Sequence, residues 1–241
     1  MKLKAVGLVA ALLFATQGEA RAVNLTLNFS VLPSSQGWMF SSSGVAESSV
    51  FSIIPGNILH QDTIGVGPGH GANYQLWNQL IPDQPITLTF TARITDEEGV
   101  AIDYGAISAG IGLNNFAYGI ALRPGEIRDL ANNLLSSSFD TSVFHAYSLA
   151  ITPSVGYSVS VDGVLIGSSA PITQFVSNYI YFGDGSNLNA RGDFAALSVS
   201  QVSEPESLFL VALGLVAVAI RRQRAQPAKA PAKNCTLSAA S

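Results

Sequence analysis

Lysine is missing from the entire stretch between Val23 and Ser203, and cysteine is missing from everything before Cys235. The only bases in that stretch are Arg93, Arg123, Arg128 and Arg191, set against thirteen Asp and Glu, for a net charge of −9 with the histidines neutral. A body this acidic repels phosphate backbones, which need Lys and Arg to displace their counterions, so nucleic acid is not an expected partner. With its one cysteine in the C-terminal tail, the body has neither a disulfide nor a cysteine zinc site and must stand on packing. A Gly-x-Ser-x-Gly run is absent despite many serines, which argues against a nucleophile elbow. Also absent is any apolar run long enough to cross a bilayer unaided.

What is present at the two ends reads as addressing. Lys2 and Lys4 precede an apolar run from Ala5 to Ala15 and then Ala20-Arg21-Ala22. A positive start, a short apolar middle and a small-x-small exit predict a secretory signal peptide over 1–22, leaving Val23 as the mature N-terminus. The second apolar segment, Leu208 to Ile220, is followed by Arg221-Arg222-Gln223-Arg224. Beyond it the charge reverses, with five bases and no acid. That asymmetry predicts a body outside the cytoplasmic membrane and a tail inside it unless the segment is clipped. A helix over 208–220 rises about 20 Å, short of the ~30 Å hydrocarbon core, so alone it reads equally as a buried helix.

The flanks of that segment resemble the PEP-CTERM sorting signal, in which a Val-Pro-Glu-Pro-like motif precedes a short hydrophobic helix and an arginine cluster. Val202, Ser203, Glu204 and Pro205 stand at the motif, and Arg221, Arg222 and Arg224 form the cluster. Ser203 replaces the first proline, and a basic tail, expected to be disordered, continues over 225–241. The resemblance implies an exosortase-type processing enzyme as partner, membrane attachment through 208–220 before processing, and recognition rather than catalytic roles for Glu204 and Pro205.

Between the ends, Val23 to Val31 and Ile86 to Ile94 alternate apolar and polar residues without a break, the pattern of strands with one buried face. Shorter strand candidates follow at Val50 to Ile54, Ala106 to Leu113, Tyr118 to Leu122, Tyr147 to Ile151, Asn178 to Phe182 and Phe194 to Val202. Gly, Pro, Asn and Ser clusters separate them, as in sandwiches. Tyr157 to Val161, Asp162-Gly163 and Val164 to Ile166 predict a hairpin on a two-residue type I′ turn. Only Glu126 to Leu135 reads as a short helix. The fold class is therefore all-β, an antiparallel two-sheet sandwich over 23–201. Phe144-His145-Ala146-Tyr147, Val161-Asp162-Gly163, Ile180 to Gly185 and Gly192-Asp193-Phe194 resemble the concanavalin A-like lectin and glucanase superfamily in its laminin-G-like form. That resemblance implies a jelly roll with its chain ends close together.

The chemistry is sparse. Glucanases of that superfamily carry Glu-x-Asp-x-x-Glu on one strand, and no such run exists here; a glycosidase needs two carboxyl groups across a cleft. Asp96-Glu97-Glu98, the one acidic cluster, reads as a solvated turn. His145 falls where the family pattern implies a structural hydrogen bond. Gly65 to Gly71 is too glycine-rich for regular structure and leads into His70, Asn73, Tyr74 and Trp77, a candidate carbohydrate site because aromatic faces stack on sugar rings while amides bond their hydroxyls. The competing reading makes Tyr74 and Trp77 core residues of a strand. Asp184 and Asn187 are candidate calcium ligands, with Asp162 or Asp193 as further donors, or simply turn formers. Arg191-Gly192-Asp193 reads as a turn that spells an integrin tripeptide by chance. The leading expectation is a noncatalytic exported protein associated with polysaccharide. The alternatives are a purely structural surface protein without a glycan site, and a divergent glycoside hydrolase.

Overall fold

The computed structural model describes residues 22–66, 71–98, 107–174, 177–186 and 188–201. The chain divides into two units, Met1–Ser203 and Glu204–Ser241. Residues 1–21 of the expected signal peptide, the sorting motif at Val202 to Arg224 with its apolar stretch 208–220, and the tail 225–241 expected to be disordered lie outside the described residues. Among the described residues no helix is long and apolar enough to cross a membrane.

Sixteen strands are described: β1 (Val23–Leu27), β2 (Met39–Ser42), β3 (Phe51–Ile54), β4 (Ile58–Asp62), β5 (Ala72–Trp77), β6 (Ile86–Glu98), β7 (Ile107–Leu113), β8 (Phe116–Arg123), β9 (Glu126–Asp129), β10 (Leu134–Ser136), β11 (His145–Thr152), β12 (Gly156–Val161), β13 (Val164–Ser169), β14 (Ile172–Thr173), β15 (Tyr179–Asp184) and β16 (Asn189–Gln201). They form two eight-stranded antiparallel sheets. One runs β13-β12-β11-β6-β16-β4-β3, with β1 also pairing β16; the other runs β10-β9-β8-β7-β15-β5-β2, with β14 pairing β8. We call them sheet A and sheet B. A single α-helical turn, α1 (Glu47–Val50), precedes β3.

Alternation builds the core. Ile86, Leu88, Phe90, Ala92 and Ile94 of β6 face inward and the threonines between them face out. Tyr147, Leu149 and Ile151 of β11 do the same in register with Phe90, Leu88 and Ile86. The two inner faces meet in an aromatic cluster, with Phe90 stacked on Tyr147 at 5.0 Å and Phe182 of sheet B edge-on to Phe194 of sheet A at 5.2 Å. The expected hairpin is present: Asp162 and Gly163 both take positive φ, 49° and 80°, joining β12 to β13. The ends of the sandwich also meet, since Val23 pairs directly with Gln201. Gln201 is buried, and its side-chain amide bonds both backbone groups of Ile81.

Three local expectations are corrected. Glu126 to Leu135 is not helical but forms β9, a turn and β10. Asp129 is the reason: its carboxylate accepts from Asn133 N at 2.8 Å and Asn133 Nδ2 at 2.9 Å, while Asn132 takes a left-handed φ of 65°. Asp96-Glu97-Glu98 is not a solvated turn but the end of β6, and Glu97 is held there by two bonds from Arg123, the shorter 2.6 Å. Arg191-Gly192-Asp193 is not a turn but lies within β16, with Asp193 buried.

Candidate functional site

Strand β5 separates the sequence-predicted site residues by its two-residue period. Ala72, Tyr74 and Leu76 point inward, while Asn73, Gln75 and Trp77 point to the outer face of sheet B. Tyr74 is fully buried, stacked on Phe182 at 5.4 Å, with its hydroxyl donating 2.7 Å to Glu47 Oε1. Burial, reinforced by that acidic partner, pushes its phenol well above the usual tyrosine range. Tyr74 is therefore a core residue, as the competing reading had it, and its ring is not available to stack on a sugar. Trp77, 36% exposed, remains at the surface. His70 lies outside the described residues.

What the outer face adds is a row of tyrosines that sequence reading missed. Tyr179 and Tyr181 of β15 stand opposite Trp77 and Gln75 of β5. Trp77 stacks on Tyr179 at 4.9 Å, and Tyr179 leans on Tyr181 at 5.8 Å. Across the next strand the same tyrosines face Gly112 and Gly110 of β7. These glycines are seats for the rings. A Cβ at Gly112 would come within 2.2 Å of Tyr179 Cε1, and one at Gly110 within 2.7 Å of Tyr181 Cε1. Tyr181 also covers Gly119 of β8, where a Cβ would sit 2.8 Å from its hydroxyl. The signal was in the sequence, as tyrosines and glycines both spaced by two; reading it required the pairing of β15 with β7.

Beside the rings lies a small cleft of about 150 Å³, lined by Asn73, Gln75, Gln174, Tyr179, Tyr181 and Leu130 among others. Asn73 Nδ2 donates to Asp184 O at 3.3 Å, and Gln75 Nε2 donates to Asn73 Oδ1 at 3.0 Å. That relay fixes two amides while leaving further donor and acceptor capacity on each. The cleft is smaller than the ~300 Å³ at which drug-sized pockets begin, so it suits one ring rather than a long segment.

Asp184 ends β15 with its side chain turned inward and fully buried. Both carboxylate oxygens are taken up within the protein: Oδ2 accepts from Thr63 Oγ1 at 2.9 Å, and Oδ1 from Ser186 N at 3.0 Å and Ser186 Oγ at 3.2 Å. Burial pushes its pKa up to about 7, with the Ser186 and Thr63 bonds opposing the shift. In this geometry Asp184 fastens the loop that follows β15 to sheet A. Asn187, the other candidate calcium ligand, lies outside the described residues. Among the described residues no group of three or more His, Cys, Asp or Glu is arranged to hold a metal ion. Asp162 and Asp193 are engaged elsewhere. His145 Nδ1 lies 2.6 Å from Asp162 Oδ2, and the bond from His145 holds the Asp162 carboxyl below its usual range. Asp193 accepts from His60 Nδ1 at 2.7 Å and Arg93 Nε at 2.6 Å.

Gln201, the last of the described residues, opens a stretch with its own signature. Residues 201–224 match the PEP-CTERM protein-sorting motif. PEP-CTERM signals mark exported proteins that are membrane-anchored before an exosortase processes them. No curated protein matches the chain. Solved structures similar to it include a β-glucanase from Bacillus licheniformis, 8% identical, covering 75% of this chain and 98% of that one at a TM-score of 0.49. A prokaryotic β-1,3-1,4-glucanase from a mouse hindgut metagenome is 14% identical, covering 76% and 100% at 0.42. The metal-free carbohydrate recognition domain of Emp46p is 11% identical, covering 68% and 88% at 0.41. At these identities the chemistry of the site rests on this chain's own residues.

Proposed function

We propose that this PEP-CTERM protein is an exosortase-processed component of the bacterial envelope or extracellular matrix, whose sandwich holds carbohydrate on the outer face of sheet B without cleaving it. The observation that carries the reading is the row Trp77, Tyr179 and Tyr181 beside the amides of Asn73 and Gln75. Rings supply the apolar contact for a pyranose face and amides supply orientation through its hydroxyls. Hydrolysis would require two carboxyl groups, roughly 5–9.5 Å apart, flanking the bound glycosidic bond. Among the described residues, the outward positions of β5, β15 and β7 are Asn, Gln, Trp, Tyr, Ser and Gly, which favours holding over cutting.

The test pairs binding with product analysis on the exported protein. Oligosaccharides should bind weakly, Trp77→Ala should lose several-fold in affinity, and no new reducing ends should accumulate. Release of reducing ends that stops on mutating a carboxylate would replace this reading with a hydrolase.

A further inference from the structure

We propose that the sheet B site takes an uncharged glycan and rejects polyuronates and other anionic polysaccharides, a specificity that rests on the carbohydrate reading above. Anionic sugars are held by cations, and this body has committed its own. It has no lysine, and each of its four arginines is paired with a carboxylate. Arg93 bonds Asp193, Arg123 bonds Glu97, Arg128 bonds Glu126 at 2.8 Å, and Arg191 bonds Asp62 at 2.9 Å. Two of the three histidines, His60 and His145, face Asp193 and Asp162. The side chains that line the cleft, Asn73, Gln75, Gln174, Tyr179 and Tyr181, with Trp77 beside them, are all neutral.

Two effects then act in the same direction. A uronate carboxylate brought against the rings would lose water without gaining a counter-charge, the costly way to bury an ion. At longer range the body's net charge of −9 repels a polyanion, an effect screened beyond about 8 Å at physiological salt. A hydroxyl meets neither obstacle, because it can donate to an amide or phenol oxygen and accept from an amide N–H. Stacking on the tyrosine row is likewise indifferent to ionic strength.

The experiment measures binding of the full exported protein to soluble neutral polysaccharides (a dextran, a β-glucan and a mannan) and to alginate and polygalacturonate. Each is run at low and high salt with a chelator present, so that no divalent cation bridges acid to acid. The expected result is binding to at least one neutral polymer, nearly unchanged by salt and lowered several-fold by Trp77→Ala or Tyr179→Ala. Binding to the uronates should be absent at either salt. Trp77-dependent binding of a uronate as tight as that of any neutral polymer would overturn the specificity and leave the carbohydrate site standing. Failure of every polymer, with wild-type protein folded by its melting transition, would overturn both.

Discussion

Asp184 and the pair Tyr74 and Trp77 show how burial alone assigns roles to residues that look alike in a sequence. Asp184 has a folded-state pKa near 7 against an ordinary 3.8, so between those values the folded protein keeps a proton that the unfolded chain has released. Its contribution to stability therefore falls as pH rises from about 4 to about 7 and is flat above. The full effect is of order 4 kcal/mol at most, at about 1.4 kcal/mol per pH decade. Denaturant melts across that window should show Asp184→Asn losing less stability than wild type as pH rises; parallel curves would contradict the assignment. Tyr74 and Trp77 separate in a similar way. Tyr74→Ala opens a cavity beneath Phe182 and should cost about 3–5 kcal/mol. Trp77→Ala removes a half-exposed stack and should cost about 1 kcal/mol. Paired thermal melts decide between them, and equal losses would put Trp77 in the core as well.

Among the elements, the edge-to-center gradient of burial explains which strands could be read from the sequence. Strands β6, β11 and β12 have one face in the core and one in solvent, so their alternation is clean; β11 and β12 fall within two residues of the predicted bounds, while β6 runs on from Ile94 to Glu98. Strands β7 and β8 are buried on both faces, the inner by the core and the outer in part by the Tyr179 and Tyr181 rings. Their sequences, ISAGIGL and FAYGIALR, alternate larger apolar residues with small ones, so both strands were legible, but the small residues did not by themselves announce the rings that cover them. Strand β5 was legible only as one of two readings, because its outward Asn73 and Gln75 and the glycine-rich approach to it also resemble a loop. The ring seat itself gives a sharp test. Gly112→Ala should lift Tyr179 and break its stack with Trp77, reducing glycan binding several-fold with a smaller loss of stability than Tyr74→Ala. Unchanged binding would mean that the row is packing and not a platform.

At the scale of the whole molecule, the sandwich and the sorting stretch were legible to different degrees. The sheet architecture follows from alternation and turn chemistry, and the sorting motif from three features in linear order. The face proposed to hold glycan was only half legible, because Trp77 and Asn73 are local in sequence while Tyr179 and Tyr181 reach them only through the β5–β15 pairing. Charge ties the two parts together: the body is acidic with its arginines paired, and the segment beyond Ile220 is purely basic. The described chain enters at Val23 and leaves at Gln201 on paired strands, and Glu204 follows only three residues later. The central claim is that this stretch addresses a folded carbohydrate-holding body to the outside of the cell. The most direct measurement is the size and location of the protein in a host with a matching exosortase, comparing wild type with Glu204→Ala combined with Pro205→Ala. The account predicts a shortened, released wild-type protein and an exported but full-length, membrane-retained variant; the same mature size and release for both would contradict it.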